Sequence, residues 1–201
     1  GNHHLSQEDI NALLVSLARR ARSVVRLKGG DPLIFGRGSE EALVLARAGI
    51  RFEIVPGVTA ASACTTYAGI PLTHRGVANS VRFLAGHCRA DQGLDLDWDR
   101  LADPNTTLVV YMGLANLPDI QKQLIVAGLD PNTPAALIEN GSTPQQRRLL
   151  TRLGDLESTA RTEQVTSPAL IVIGKVVELA GEMDWYQAIG GVDDVHRSAN
   201  A

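Results

Sequence analysis

The sequence has only two cysteines, Cys64 and Cys88, no apolar run of membrane-spanning length, no large surplus of either charge sign, no internal repeat and no low-complexity tract. Two cysteines cannot build a disulfide framework, and their spacing matches no metal motif, so both read as small buried hydrophobes. The longest apolar runs, such as Ala169–Ile173, fall far short of the roughly 20 residues a membrane helix needs. With 19 Lys+Arg against 22 Asp+Glu the net charge is -3, which argues against a nucleic-acid coat. The N-terminus is polar and has no signal-peptide pattern, so the expectation is a cytoplasmic protein. Neither a Gly-Lys-Ser/Thr phosphate loop nor a Gly-x-Gly-x-x-Gly dinucleotide turn is present.

What is there is ordinary globular material. Hydrophobic residues make up 44% and charged residues 20% of 201 residues, enough for a real core in one large domain or two small ones. Ser6 followed by Asp9 resembles a capping box, and Ile10, Leu13, Leu14 and Leu17 recur at helical spacing. A strand is expected at 24–27, a helix at 40–48 ending on Gly49, a strand at 51–55, and a small-residue helix at 60–68 ending on Gly69. This rhythm is that of a parallel α/β sheet, whose ligands sit at the carboxyl ends of strands. A polar connector at 71–79 precedes a second α/β stretch. Strands are expected there at 81–85, 108–111, 135–139, 148–151 and 170–173, and a helix at 117–127. The expected division is therefore a first α/β lobe at 1–76, a second at 77–189 and a disordered tail at 190–201. Two strands are few for a free-standing sheet, so the first lobe is expected to be incomplete at its N-terminal side.

The chemistry-bearing residues cluster after strands. Gly29-Gly30-Asp31-Pro32 places bare backbone amides beside a carboxylate, able to meet a ligand carboxylate, hydroxyl or ammonium. Pro56-Gly57-Val58-Thr59-Ala60, Tyr111-Met112-Gly113 and Glu139-Asn140-Gly141 repeat the strand-end setting. Met112 taken singly reads as a core gap-filler. Four such ends suggest a cleft between lobes. The basic candidates are Arg37, His74, Arg75, Arg82, Arg147 and Arg148. By default each is a solvated charge, but His74-Arg75 in the connector suits an anionic substrate.

The run from Val24 to Gly38, followed by Val55-Pro56-Gly57-Val58-Thr59-Ala60-Ala61, Gly69-Ile70-Pro71-Leu72-Thr73-His74-Arg75, Tyr111-Met112-Gly113 and Glu139-Asn140-Gly141, strongly resembles the uroporphyrinogen-III C-methyltransferases. It looks most like the methyltransferase part of multifunctional sirohaem synthases. The resemblance runs from Gly1 to about Trp185. It implies the two-lobed tetrapyrrole methylase fold with S-adenosylmethionine between the lobes, held by Gly29, Gly30, Asp31, Ile34, Thr59, Ala60, Met112 and Gly141. It further implies uroporphyrinogen III as substrate, methylation at C2 and C7 to precorrin-2, no metal for that step, and a homodimer without nucleic-acid or membrane partners. His3, Arg37, His74 and Arg75 are the candidates facing the eight substrate carboxylates. The family's proton donor and acceptor match no position, since both would precede Gly1, so no catalytic pair is named. Two other readings stay open: a methylase of the same fold acting on another tetrapyrrole or on RNA, and a fragment that binds without turnover.

Overall fold

Ser6 and Asp9 form a reciprocal cap, each side chain accepting from the other's backbone N–H, and start α1 (Gln7–Ala18) as the spacing predicts. The computed structural model describes residues 5–87 and 93–186, so His3, Cys88 and the 190–201 tail lie outside the described residues. Packing divides the chain into two compact units, Gly1–Thr59 and Ala60–Ala201.

In the first unit α1 buries Leu14, while Leu13 and Leu17 of the same stripe stay exposed. The second helix, α2 (Gly38–Arg47), ends at Gly49, whose φ of 71° permits the left-handed turn that closes the helix. Glu41 faces inward on α2 at 5% exposure. Its Oε1 accepts from Lys28 Nζ at 3.1 Å, Gln7 Nε2 at 3.2 Å and Arg26 Nε at 3.4 Å. One carboxylate thus joins both helices to the 26–28 segment. Burial pushes its pKa up, but the hydrogen bonds from Lys28 and Gln7 and the nearby cations outweigh that and hold it below the ordinary value.

The segments expected as strands at 24–27 and 51–55 belong to no ladder among the described residues. Alternating apolar character supplies strand propensity, whereas a strand also needs a neighbour for its N–H and C=O groups. The two segments instead flank an open groove of about 1200 Å³, leaving Val25, Leu27 and Val55 more than three-quarters exposed.

The second unit holds α3 (Ala60–Tyr67), β1 (Ser80–Ala85), α4 (Trp98–Leu101), β2 (Thr106–Tyr111), α5 (Leu117–Val126), β3 (Pro134–Glu139), β4 (Arg147–Arg152), α6 (Leu156–Thr162) and β5 (Ala169–Ile173). The strand order is β1-β2-β5-β3-β4. Only β1 and β2 pair in parallel; β2–β5, β5–β3 and β3–β4 are antiparallel, so the sheet is mixed rather than parallel throughout. Because β5 opposes both β2 and β3, those two run the same way. The carboxyl ends of β1, β2 and β3 therefore share one edge of the sheet.

Both faces of the sheet are covered, which explains the near-continuous apolar strands. Leu108, Val110, Leu137, Ile171 and Ile173 pack with Leu117, Ile120 and Leu124 of α5 and Leu156 of α6. Val109, Ile138, Leu170 and Val172 pack with Ala61 and Cys64 of α3 and with Val176 and Val177 in the short 3₁₀ helix Lys175–Gly181. Each fully buried Leu or Ile contributes about 1.5–3 kcal/mol. Ile70 and Ala78 belong to this second core. That is why the packing division falls at Thr59/Ala60, whereas the sequence pattern breaks near 76/77. Past the core, Trp185 Nε1 donates to Thr66 O at 2.9 Å, and the rings of Tyr67, Trp185 and Tyr186 are mutually stacked edge to face or tilted. No helix among the described residues is long and apolar enough to cross a membrane.

Candidate cofactor site

In the first unit the Gly29-Gly30-Asp31 turn is open. A Cβ at Gly29 would meet nothing within 4 Å, and Gly30 has φ 76°, a conformation that glycine adopts without strain. The Asp31 carboxylate accepts from Leu33 N at 2.8 Å through Oδ1 and from Gly57 N at 3.2 Å through Oδ2. Each oxygen already holds one backbone donor and has a remaining lone pair for a ligand. Ile34 is half-buried beyond this turn, and Thr59 is buried at 8% exposure.

In the second unit Ala60 opens α3. The next N–H, that of Ala61, donates to Tyr111 Oη at 2.8 Å, tying the helix start to the end of β2. Met112 follows with φ 55° and 47% exposure. The core reading of Met112 is corrected: two residues past Val110, the last buried strand position, the chain turns left-handed and the residue is exposed. Gly113 lies against the end of β1, where a Cβ on Gly86 would fall 2.5 Å from Gly113 Cα. At the end of β3 a Cβ on Gly141 would come within 2.4 Å of Cys64 Sγ on α3. Cys64 is a buried free thiol, as the sequence suggests, and burial raises its pKa. Ala60, Met112 and Gly141 thus line one sheet edge, with α3 running from Tyr111 to Gly141.

Glu139, the last residue of β3, is 4% exposed. Its carboxylate accepts from the N–H and hydroxyl of Thr166 and from Arg147 Nη1. The Thr166 hydroxyl and N–H bonds, then Arg147, hold its pKa below the ordinary carboxylate value despite burial. Asn140 N donates to Pro168 O at 3.0 Å, so the β3 exit and the β5 entry are held together at two points.

The basic candidates are mostly committed elsewhere. Arg37 forms a bidentate pair with Glu40, both bonds 2.8 Å, which raises its pKa and turns it away from the free-anion role expected of it. Arg82 donates to Arg100 O, Arg147 pairs with Glu139 and Glu163, and Arg148 donates to Ala68 O and Ala180 O and pairs with Asp184. His74 and Arg75 sit exposed in a tight turn closed by His74 and Ala78, and their side chains carry no hydrogen bond or ion pair among the described residues. No group of three metal-type ligands occurs among the described residues.

Sequence reasoning missed two anchors, Glu41 and Glu139. A legible signal existed for Glu41, a carboxylate on the helix face shared with Leu45, where an apolar residue is the rule. The role of Glu139 depends on Thr166, a distant partner with no local pattern.

The model of the tetrapyrrole (corrin/porphyrin) methylases matches residues 1–157. Siroheme synthase 1 of Yersinia enterocolitica is 54% identical over 186 residues, covering 92% of this chain and 39% of that protein. The chain spans about two fifths of the curated relatives it matches. Among solved structures, uroporphyrin-III C-methyltransferase from Thermus thermophilus is 46% identical with TM-score 0.76, covering 89% of this chain and 76% of that one. A second Thermus thermophilus structure, complexed with S-adenosyl homocysteine, is 42% identical with TM-score 0.73, covering 86% and 75%.

Proposed function

Given that the chain belongs to the tetrapyrrole methylases, we propose that it carries out the S-adenosylmethionine-dependent C-methylation of uroporphyrinogen III at C2 and C7 to precorrin-2, in sirohaem or cobalamin biosynthesis. The observation that carries the reading is the match of residue types with the family at Gly29, Gly30, Asp31, Ile34, Thr59, Ala60, Met112 and Gly141, with open space at Gly29 and an exposed Met112 at the end of β2. These groups suit an adenosyl sulfonium. The open space at Gly29 admits a ligand to the backbone, Asp31 keeps acceptor capacity for a hydroxyl or ammonium, and the exposed Met112 offers an apolar contact.

When bound, the sulfonium supplies an already electrophilic methyl, and the pyrrole carbon is electron-rich, so the protein's task is alignment. The turn at 29–31 and the edge residues Met112 and Gly141 orient the donor. His74 and Arg75, whose side chains are unpaired among the described residues, draw substrate carboxylates, a local basic pair in a chain of charge -3. A cytoplasmic homodimer acting without metal or nucleic acid is part of this proposal.

The test incubates the 201-residue chain with S-adenosylmethionine and uroporphyrinogen III, reads the absorbance of the oxidised product, and measures S-adenosylhomocysteine binding by calorimetry. Formation of a dimethylated product with saturable binding is expected. Binding without any methylated tetrapyrrole would leave the non-turnover reading as the correct one.

A further inference from the structure

Residues 51–58 are nearly untethered. Among the described residues they pair with no strand, and their one hydrogen bond there runs from Gly57 N to Asp31 Oδ2 at 3.2 Å. The opposite turn is held differently, since Lys28 and Arg26 are drawn to the buried Glu41 on α2. The Asp31 carboxylate is therefore the polar link by which an anchored turn holds an unanchored one.

The backbones also touch. A Cβ on Gly57 would come within 2.2 Å of Gly30 O and 3.4 Å of Asp31 N, so position 57 accepts no side chain while the turns are closed. Asp31 Oδ1 meanwhile closes its own turn on Leu33 N at 2.8 Å.

We propose that Asp31 is a positioning residue whose carboxylate clamps the Gly29-Gly30 turn against Gly57, so that the cofactor-facing backbone of 29–31 and the 57–59 segment are presented as one preformed surface of the first unit. This deepens, and rests on, the S-adenosylmethionine reading above. Pre-organisation removes the cost of ordering residues 51–58 when the ligand binds, so the clamp acts on affinity. A direct ligand contact by Asp31 alone would act without Gly57.

Two variants separate these roles. Asp31→Asn keeps an oxygen for Leu33 N but presents an amide donor toward the Gly57 N–H, opening the clamp. Gly57→Ala leaves the carboxylate in place and pushes the turns apart. Amide hydrogen exchange of 51–58 and calorimetry with S-adenosylhomocysteine are measured for both variants and the unaltered chain, with thermal unfolding as the check on the fold. In both variants exchange of 51–58 is expected to quicken, with the β2, β3 and β5 amides still protected, and affinity is expected to fall by roughly tenfold or more. Asp31→Glu, whose longer arm still reaches Gly57 N, is expected to recover part of the affinity lost in Asp31→Asn. Full affinity in Gly57→Ala with loss in Asp31→Asn would overturn the clamp in favour of direct contact, and unchanged exchange of 51–58 in both variants would overturn it outright. If the unaltered chain binds no S-adenosylhomocysteine, the cofactor reading fails, and the exchange data alone decide whether the clamp exists.

Discussion

Thr166 donates both its N–H, at 2.8 Å, and its hydroxyl, at 2.5 Å, to the same oxygen of Glu139. That oxygen joins the exit of β3 to the entry of β5, two residues before Gly141. The pair has a pH consequence. Glu139 is held below its ordinary value of 4.5, so its contribution to stability is fully present above the ordinary carboxylate range and is lost as pH falls through the folded value. Glu41 has the same sign. Thermal unfolding between neutral pH and about pH 3 is expected to show Tm falling on the acid side, with a shallower fall in Glu139→Gln. Equal slopes in the two proteins would remove Glu139 from the account.

Truncating Glu41 tests the first unit. Glu41→Ala leaves Lys28, whose side chain is 14% exposed, without its carboxylate. A loss of about 2–4 kcal/mol is expected, since an ionic partner is left unpaired in a partly dry site. Denaturant titration with amide exchange should place the loss in 7–48 and leave the second unit's sheet protected.

Gly141→Ala is expected to destabilise the second unit by roughly 1–3 kcal/mol, because the new methyl meets a packed helix. The nearest atoms are Cys64 Sγ at 2.4 Å and Cys64 Cβ at 2.6 Å. Adding Cys64→Ala removes the first contact and keeps the second, so partial recovery by differential scanning calorimetry is the expected result. Simple additivity of the two changes would show that they do not meet.

Met112 separates function from stability. Its left-handed φ of 55° is disfavoured for a residue with a Cβ, and its side chain is 47% exposed. Met112→Gly is expected to raise stability by up to about 1 kcal/mol through relief of strain, while weakening S-adenosylhomocysteine binding through loss of an apolar contact. A stability gain with unchanged binding, measured on the same protein, would take Met112 out of the site.

Much of the architecture is written in local pattern. The cap at Ser6, the helix ends at Gly49 and Gly69 and all five strands of the second unit are legible, because they depend on neighbours a few residues away. The strand-end glycines are legible as candidate site positions for the same reason. Pairing is not: the sequences at 24–27 and 51–55 read as strands, yet remain without ladders among the described residues, because propensity is local and a hydrogen-bonded partner is not.

The sequence by itself determined which residues are small enough, polar enough or apolar enough for each post: two faces of apolar residues on β2, β3 and β5, and glycines wherever backbones must meet. Tertiary structure alone decided the pairings. Gly57 lies against Gly30, Gly141 against Cys64, Glu41 between two cations, and Glu139 beneath Thr166. Arg37, a free cation by sequence, is taken up by Glu40, while the side chains of His74 and Arg75 are left unpaired among the described residues. Hydrogen bonds and steric contacts act over a few ångströms in space, and separations of 26 or 27 residues along the chain carry no periodic signature from which such a contact can be read.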